Sequence, residues 1–261
     1  MGISANNRPV GVVGNDRLGV AVAERFASCH LPTRYAALLG SPAVVFGGHL
    51  SPMELSSKAE PDCAVVLAAI EDTETFRNLL LGTNAAGRLA LKTGSVIVDL
   101  GARTPRELDA LLTILEPLDV ALVDATLLGG AESTAQGHAK VLLGGAERGV
   151  EIAESVLSLL GQVERTGPLG SAHAAAALMG YIEAAHAVAR EEAVALGAAC
   201  GLTPDMIARV LSERVPPHGL NVVQLARRAD LARRIARDRI GGADIIDLAA
   251  EKNARAQREN R

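Results

Sequence analysis

The sequence predicts an α/β protein in which a doubly wound, mostly parallel sheet is followed by an all-α C-terminal domain, with a long helix joining the two. Two observations lead to this fold class. Short apolar runs alternate with helix-compatible stretches through the first part of the chain, whereas the chain after residue 170 has only helical patterns. Strands that alternate with helices are typical of a parallel sheet with helices on both faces.

The first predicted elements are a strand over residues 10–13 and a helix over residues 17–27, with Gly14 between them. A strand, a tight turn and a helix in this order open a Rossmann-like, dinucleotide-binding fold. The apolar runs that follow have the length of strands and are separated by segments compatible with helices. They predict strands over residues 35–39, 43–46, 64–70, 95–100, 120–123 and 140–143.

The C-terminal helices are predicted from composition and from helix breakers. Residues 171–199 are rich in Ala, Leu, Glu, His and Val and contain no proline, which predicts one long helix capped by Ser171. Another helix is predicted to start at Thr203-Pro204-Asp205. Two more helices are predicted over residues 220–239 and 243–257.

The domain boundary is predicted at the glycine-rich turn 167–170. Residues 1–167 then form the Rossmann-like domain, and residues 168–261 form the all-α domain. Helices this apolar cannot bury all their faces within so short a domain. We therefore expect a homodimer in which the helices of each subunit cover the cleft of the other.

Composition and charge exclude several classes of partner. The net charge of −4, the absence of Trp and the few other aromatic residues argue against nucleic acid. The sequence contains no apolar run long enough to predict a signal peptide or a membrane span. The three cysteines are far apart, which favours a reducing compartment. We expect a soluble cytoplasmic protein that binds a small molecule, with no membrane and no metal. The arginine-rich stretch 227–239 is interpreted as a solvated helix face rather than a phosphate-binding patch.

Several spaced motifs stand along residues 10–204 in an order that resembles one family. They are Val10-Gly11-Val12-Val13-Gly14 with Leu18-Gly19, Asp99 with Pro105, the loop 124–130, the pairs Gln136-Gly137 and Gly144-Gly145, and the turn 167–170. Together they resemble the β-hydroxyacid dehydrogenase superfamily, which includes hydroxyisobutyrate and phosphogluconate dehydrogenases and, more distantly, imine reductases. The resemblance implies an NAD(P) site at the first turn and a substrate cleft between the domains.

The cofactor contacts that the resemblance implies are Gly14, Arg17, Leu18 and Gly19. The second glycine of the family's pattern is Asp16 here, whose carboxylate would repel a pyrophosphate but would make a good helix cap. We favour the cap. No acidic residue follows the second strand to hold the ribose of NAD, and Arg34 is the one basic candidate for the phosphate of NADP. We therefore favour no cofactor, with NADP as the alternative.

The family's catalytic groups are missing at the positions that the resemblance assigns to them. The lysine position falls on Ala176, the asparagine position on Gly180 and the serine of the substrate loop on Leu128. A lysine would exchange a proton with the substrate hydroxyl, and an alanine has no group that can do so. Because the glycines that shape the turns remain, the simplest interpretation is a scaffold kept for a different reaction.

Other ionisable residues on the long helix are candidates to replace the lysine. With about 100° per residue, Ala176 and Gly180 share one side of this helix with two such residues, His173 and Glu183. We predict His173 as the base and Glu183 as the acid, with Tyr181 as a lower-ranked proton donor. The alternatives are a surface position for His173 and an ordinary ion pair for Glu183.

The predicted substrate contacts lie on two loops. They are Arg103, Thr126, Gly129, Gly130 and Ser133. For Arg103 the alternative is a solvated position in its loop.

These observations predict a dehydrogenase-fold enzyme that has lost redox chemistry and carries out a proton transfer, an isomerisation or a cyclisation on a small organic substrate. Two alternatives remain open. One is an NAD(P)H-dependent reductase of imines or carbonyls, and the other is a non-catalytic scaffold. Binding of a nicotinamide cofactor would separate the reductase from the other two hypotheses.

Overall fold

The strands form one sheet in the computed structural model. The structure describes residues 9–14, 16–38, 47–56, 63–83, 87–212, 222–245, 247–248 and 251. For residues 222–228 it describes the backbone only. In chain order the strands are β1 Val10–Gly14, β2 Thr33–Ala37, β3 Leu50–Pro52, β4 Val65–Ala69, β5 Val96–Asp99, β6 Ala121–Leu128, β7 Ala139–Gly145 and β8 Gly161–Gly167. Their order across the sheet is β3-β2-β1-β4-β5-β6-β7-β8. The first six of these are parallel, β7 is antiparallel to β6, and β8 is parallel to β7. The predicted doubly wound, mostly parallel sheet is confirmed.

The helices alternate with the strands and then follow them. In chain order they are α1 Arg17–Ser28, α2 Thr73–Leu81, α3 Pro105–Leu115, α4 Gly130–Gln136, α5 Glu147–Leu157, α6 Ser171–Ala199, α7 Pro204–Ser212 and α8 Val222–Ile240. The predicted long helix over residues 171–199 is confirmed as α6. The strand predicted over residues 43–46 lies outside the described residues, as does most of the helix predicted over residues 243–257.

Two strands have no counterpart in the sequence prediction. They are β3, which has three residues and contains Pro52, and β8, whose sequence is mostly polar and whose side chains are mostly exposed or half-buried. Both lie at edges of the sheet. An edge strand buries little apolar surface, so it has no apolar run by which it could be predicted.

The sheet is buried on both faces. Successive residues of its central strands point to opposite sides, so each of these strands contributes side chains to two apolar clusters. Val12 and Leu67 belong to one apolar cluster, whereas Val13 and Val66 belong to the other. Helices α1 and α5 cover the first face, and α2 and α3 cover the second. Each fully buried Val, Leu or Ile contributes about 1.5–3 kcal/mol. The loops at the ends of the strands are therefore carried by a well-packed core.

The chain divides into two compact units, Met1–Leu178 and Met179–Arg261. The division falls inside α6 and not at the turn 167–170. In the second unit, Gly197 of α6 lets α7 approach closely, because a Cβ there would lie 2.9 Å from the side chain of Ile207.

Three arginines of α8 are paired with acidic residues of the same unit. Arg233 and Arg234 contact Asp230 at 2.7 and 3.2 Å, and Arg237 contacts Asp247 at 3.2 Å. This pairing agrees with a solvated, ion-paired face. The part of the chain that the structure describes contains neither a helix long and apolar enough to cross a membrane nor a group of three or more His, Cys, Asp or Glu side chains that could hold a metal ion.

Candidate functional site

Several candidate residues lie at or near the carboxyl edge of the parallel strands. The sheet order reverses at β1, because β2 and β3 lie on one side of it and β4, β5 and β6 lie on the other. In doubly wound sheets the ligand binds outside the carboxyl ends of the strands at such a reversal. The turn after Gly14 and the ends of β4 and β5 therefore form the candidate site.

Two glycines bring α1 close to the sheet at this point. A Cβ on Gly14 would lie 3.0 Å from the carbonyl oxygen of Ala69, and one on Gly19 would lie 3.2 Å from the Cβ of Ala69. Larger residues would push α1 away from β4, because the interior is close-packed. The N-terminus of α1, which carries a partial positive charge, consequently lies at the carboxyl edge.

Asp16 caps α1. Its Oδ1 accepts a hydrogen bond from the backbone N–H of Gly19 at 2.9 Å, and its backbone is extended, with φ −132° and ψ 179°. The interpretation of Asp16 as a helix cap is confirmed. Arg17 is exposed in the first turn, and Leu18 packs half-buried against the apolar core. The carboxylate thus occupies the helix N-terminus at which a phosphate binds in dinucleotide folds.

Arg34 lies away from this turn, toward the other end of the strands. It is in register with Gly11, whereas the end of β1 at Gly14 is in register with Ala37. Arg34 is therefore set back from the carboxyl edge by about 10 Å of strand. The register of β2 contradicts the assignment of Arg34 to the cofactor.

Arg103 is buried and joins the ends of β4 and β5. Its Nε donates to Asp99 Oδ2 at 2.7 Å, and both side chains have 0% exposure. Its Nη1 donates to the carbonyl oxygen of Glu71 at 3.0 Å and to Thr73 Oγ1 at 2.9 Å, and its Nη2 donates to the carbonyl oxygen of Ile70. The predicted substrate contact by Arg103 is wrong, because the protein's own acceptors surround its guanidinium.

Asp99 is the buried partner of this arginine. Burial raises the pKa of the Asp99 carboxyl above its ordinary value, and the charges of Arg103 and His173 oppose the rise. The N–H of Gly101 also donates to Asp99 Oδ1 at 3.0 Å. The ion pair of Asp99 and Arg103 therefore holds the loop after β5 against the end of β4. The positive charge of Arg103 compensates the buried negative charge of Asp99.

Asp124, in the middle of β6, caps α6. Its Oδ1 accepts from the N–H of Gly170 at 2.7 Å, and its Oδ2 accepts from the N–H of His173 at 2.9 Å. Ser171, the cap expected from the sequence, instead has its Oγ 2.7 Å from Thr166 Oγ1. The capping carboxylate comes from a distant strand, and no pattern within the helix could have revealed it.

His173 is enclosed within the first unit, with 4% exposure. Its Nε2 lies 3.3 Å from the carbonyl oxygen of Asp99, and its Nδ1 is buried without a hydrogen-bond partner among the described residues. This burial contradicts a surface position. The action of His173 as a base stays a prediction.

Tyr181 and Glu183 lie on the part of α6 that belongs to the second unit. Both are exposed, Tyr181 at 67%. Ala176 is half-buried, and a Cβ on Gly180 would meet no atom within 4 Å. Within the chain, Glu183 is not walled in as expected. His173 is buried and Glu183 is exposed, and their pairing as base and acid stays a prediction.

Thr126, Gly129, Gly130 and Ser133 lie where β6 leads into α4. Gly129 and Gly130 have φ of +99° and +69°, a left-handed conformation that favours glycine. A Cβ on Gly129 would lie 2.7 Å from Ser133 Oγ, so the serine packs over the turn. Thr126 Oγ1 lies 3.5 Å from the carbonyl oxygen of Ala172. These four residues lie at the junction of β6 and α4, and their contact with a substrate stays a prediction.

Known dehydrogenases match much of this chain in sequence. Residues 10–173 match the family described as the NAD binding domain of 6-phosphogluconate dehydrogenase. The chain is 29% identical over 222 residues to L-threonate dehydrogenase of Cupriavidus necator, a match that covers 79% of this chain and 70% of that protein. It is 24% identical over 215 residues to the mitochondrial 3-hydroxyisobutyrate dehydrogenase of Bos taurus, covering 80% of this chain and 62% of that protein.

Solved structures of reductases share the fold. An imine reductase from Myxococcus stipitatus in complex with NAD+ has a TM-score of 0.73 and 15% identity, over 97% of this chain and 94% of that chain. A reductive aminase from Aspergillus terreus in complex with NADPH and ethyl levulinate has a TM-score of 0.73 and 16% identity, over 98% of this chain and 95% of that chain. At these identities the likeness shows the fold alone.

The family match covers more than half of the chain and includes the turn at Gly14. The family match and the sequence relatives do not support the redox-independent reaction expected from the sequence, and they favour its nicotinamide-dependent alternative. The resemblance to this group of dehydrogenases is thereby confirmed, and the chain belongs to the family described as the NAD binding domain of 6-phosphogluconate dehydrogenase.

Proposed function

We propose that the chain is a nicotinamide-dependent oxidoreductase that reduces the C=N or C=O bond of a small organic substrate. The observation that carries the proposal is the family match over residues 10–173, which includes the turn where Gly14 and Gly19 approach Ala69. Both sequence relatives named above are dehydrogenases, and the two structural neighbours are an imine reductase and a reductive aminase, solved with NAD+ and with NADPH. A cytoplasmic location is proposed from the widely spaced cysteines of the sequence.

The backbone at this edge of the sheet has the strand, turn and helix start on which dinucleotides bind, whereas the Asp16 side chain there does not fit a pyrophosphate. Gly14 and Gly19 let α1 pack against Ala69, which brings the positive end of α1 to the carboxyl edge, and this end suits a pyrophosphate. When bound, a nicotinamide cofactor supplies the hydride. The described part of β2 ends in Ala37 and Leu38, which offer neither an acid for the ribose of NAD nor a base for the extra phosphate of NADP. Both cofactors are therefore candidates.

The choice between C=N and C=O depends on where a proton comes from. Hydride addition to a carbonyl produces an alkoxide, which needs a proton at once. Hydride addition to a protonated imine produces a neutral amine and needs no further proton. Ala176 stands at the position that the resemblance assigns to a proton-donating lysine. An imine, which can be protonated before it binds, is therefore the substrate class that this chain favours.

The remaining proton-transfer groups that we propose are Tyr181 and Glu183. Their exposure on α6 leaves the phenol and the carboxyl accessible to a substrate or to water. The junction of β6 and α4 is proposed to hold the polar part of the substrate, because Thr126 and Ser133 offer hydroxyl groups on either side of the turn at Gly129 and Gly130.

The test is consumption of NADPH and NADH with a cyclic imine and with the ketone of the same ring size. We expect the imine to be reduced at least about tenfold faster, since general acid catalysis is worth about 10²-fold or more. Ala176→Lys should raise the rate with the ketone selectively. Ala177→Lys, which places the same charge about 100° around the helix, should not. Tyr181→Phe and Glu183→Gln then test each donor separately.

Two results would contradict this proposal. Product formation without consumption of reduced nicotinamide would restore the redox-independent reaction. Absence of both cofactor binding and turnover in a stably folded protein would leave the non-catalytic scaffold.

A further inference from the structure

The Asp16 carboxylate and a pyrophosphate require the same place at the start of α1. Asp16 Oδ1 is 2.9 Å from the N–H of Gly19, and the side chain is half-exposed at the edge of the sheet. The first turn of α1 contains no other acidic residue. The positive end of this helix is therefore already compensated by a carboxylate of the chain itself.

Two physical effects set this carboxylate against a dinucleotide. The glycine that stands at this point of the family's pattern lets the backbone approach the pyrophosphate, whereas Asp16 adds a Cβ and a carboxylate. The second effect is charge, because a carboxylate beside two phosphates is repelled by both of them. Arg17 next to it is exposed and offsets part of that repulsion.

We propose that Asp16 competes with the cofactor inside the cofactor site. Its carboxylate has to leave the N–H of Gly19 before a pyrophosphate can bind there, so Asp16 sets the affinity of the chain for a nicotinamide dinucleotide. This inference rests on the proposed function, because it takes the dinucleotide as the ligand. The competition weakens binding in the natural chain, and removal of the carboxylate strengthens it.

The test is equilibrium binding of NADPH and NADH, followed by nicotinamide fluorescence and by thermal stabilisation of the protein. Asp16→Gly should bind at least about tenfold more tightly than the natural chain. Asp16→Asn keeps an oxygen that can cap the helix but loses the charge, so its affinity should fall between the two. Glu24→Gln removes one charge from the exposed face of the same helix, farther from its start, and should leave the affinity unchanged.

The outcomes separate this inference from the function on which it rests. Equal affinities for the natural chain and Asp16→Gly would overturn the competition and leave the oxidoreductase proposal standing. Binding by Asp16→Gly alone would support the competition and contradict a nicotinamide-dependent reaction in the natural chain. Absence of binding in both, with circular dichroism showing both folded, would overturn both proposals.

Discussion

Arg103 and Asp99 are a buried ion pair in which each charge compensates the other. Arg103 also donates to the carbonyl oxygens of Ile70 and Glu71, so its guanidinium joins two strand ends as well as one carboxylate. Removal of one member of such a pair leaves a buried charge without compensation, which is costlier than removal of both.

We expect Arg103→Met to lower the free energy of unfolding at neutral pH by about 3–5 kcal/mol. The double variant Asp99→Asn with Arg103→Met should recover part of this loss, because no charge is then left behind. Urea unfolding followed by circular dichroism measures both. A loss below about 1 kcal/mol in the single variant would mean that the pair is not essential to this edge.

The same variant has a predictable dependence on pH. Burial raises the pKa of Asp99 above its ordinary value of 3.8, and loss of Arg103 removes a charge that opposes the rise. An acid whose pKa is higher in the folded state favours folding when it is protonated. Arg103→Met should therefore be least impaired below about pH 4 and should lose stability as the pH rises above that value.

At the scale of elements, the start of α3 is held by a capping box. Glu107 Oε2 accepts from the N–H and the Oγ1 of Thr104 at 2.8 and 2.7 Å, and Glu107 Oε1 accepts from Thr73 Oγ1 at 2.8 Å. These hydrogen bonds, those from Thr104 first, lower the pKa of Glu107 from 4.5 to about 2. The hydrogen bonds of the box are therefore strongest while Glu107 is ionised.

We expect the natural chain to lose the stabilisation from Glu107 as the pH falls from about 4.5 to about 2. The sign follows from the lowered pKa, since the unfolded chain takes up the proton first. Glu107→Gln should lose less stability over this range, measured as the change in Tm. Glu151→Gln, at an exposed glutamate of α5, is the matched control and should follow the natural chain. Parallel profiles for all three proteins would contradict this role of Glu107.

At the scale of the whole molecule, the exposed apolar side chains of α6 support the expected homodimer. Leu178 is 70% exposed and Ile182 is 50% exposed. These two residues are four positions apart and so share one face of the helix. We propose that a second copy of the chain covers this face, because burial of exposed apolar side chains stabilises an interface.

We expect a dimer mass in analytical ultracentrifugation at micromolar concentration. Leu178→Glu combined with Ile182→Glu should shift the mass to that of a monomer, because two charges would be buried at the contact. Leu81→Glu introduces a charge at an exposed leucine of α2 and should leave the dimer intact. A monomer mass for the natural chain would exclude this assembly.

The sequence by itself determined the elements whose signal is local. Strands β1, β4 and β5 bury both of their faces, so each is a continuous apolar run, and α6 is a long proline-free stretch of helix formers. The turn at Gly14 and the cap at Asp16 were predicted because their requirements lie within a few residues. The fold class and the family resemblance follow from such short segments.

Only the tertiary structure decided which polar side chains stay accessible. Arg103 and His173 read as possible site residues in the sequence, yet one is enclosed by acceptors from β4 and β5 and the other packs against the end of β5. Asp124 caps a helix that begins far along the chain. A buried hydrogen bond depends on partners brought together by packing across the sheet, and the spacing of residues along one segment carries no record of them.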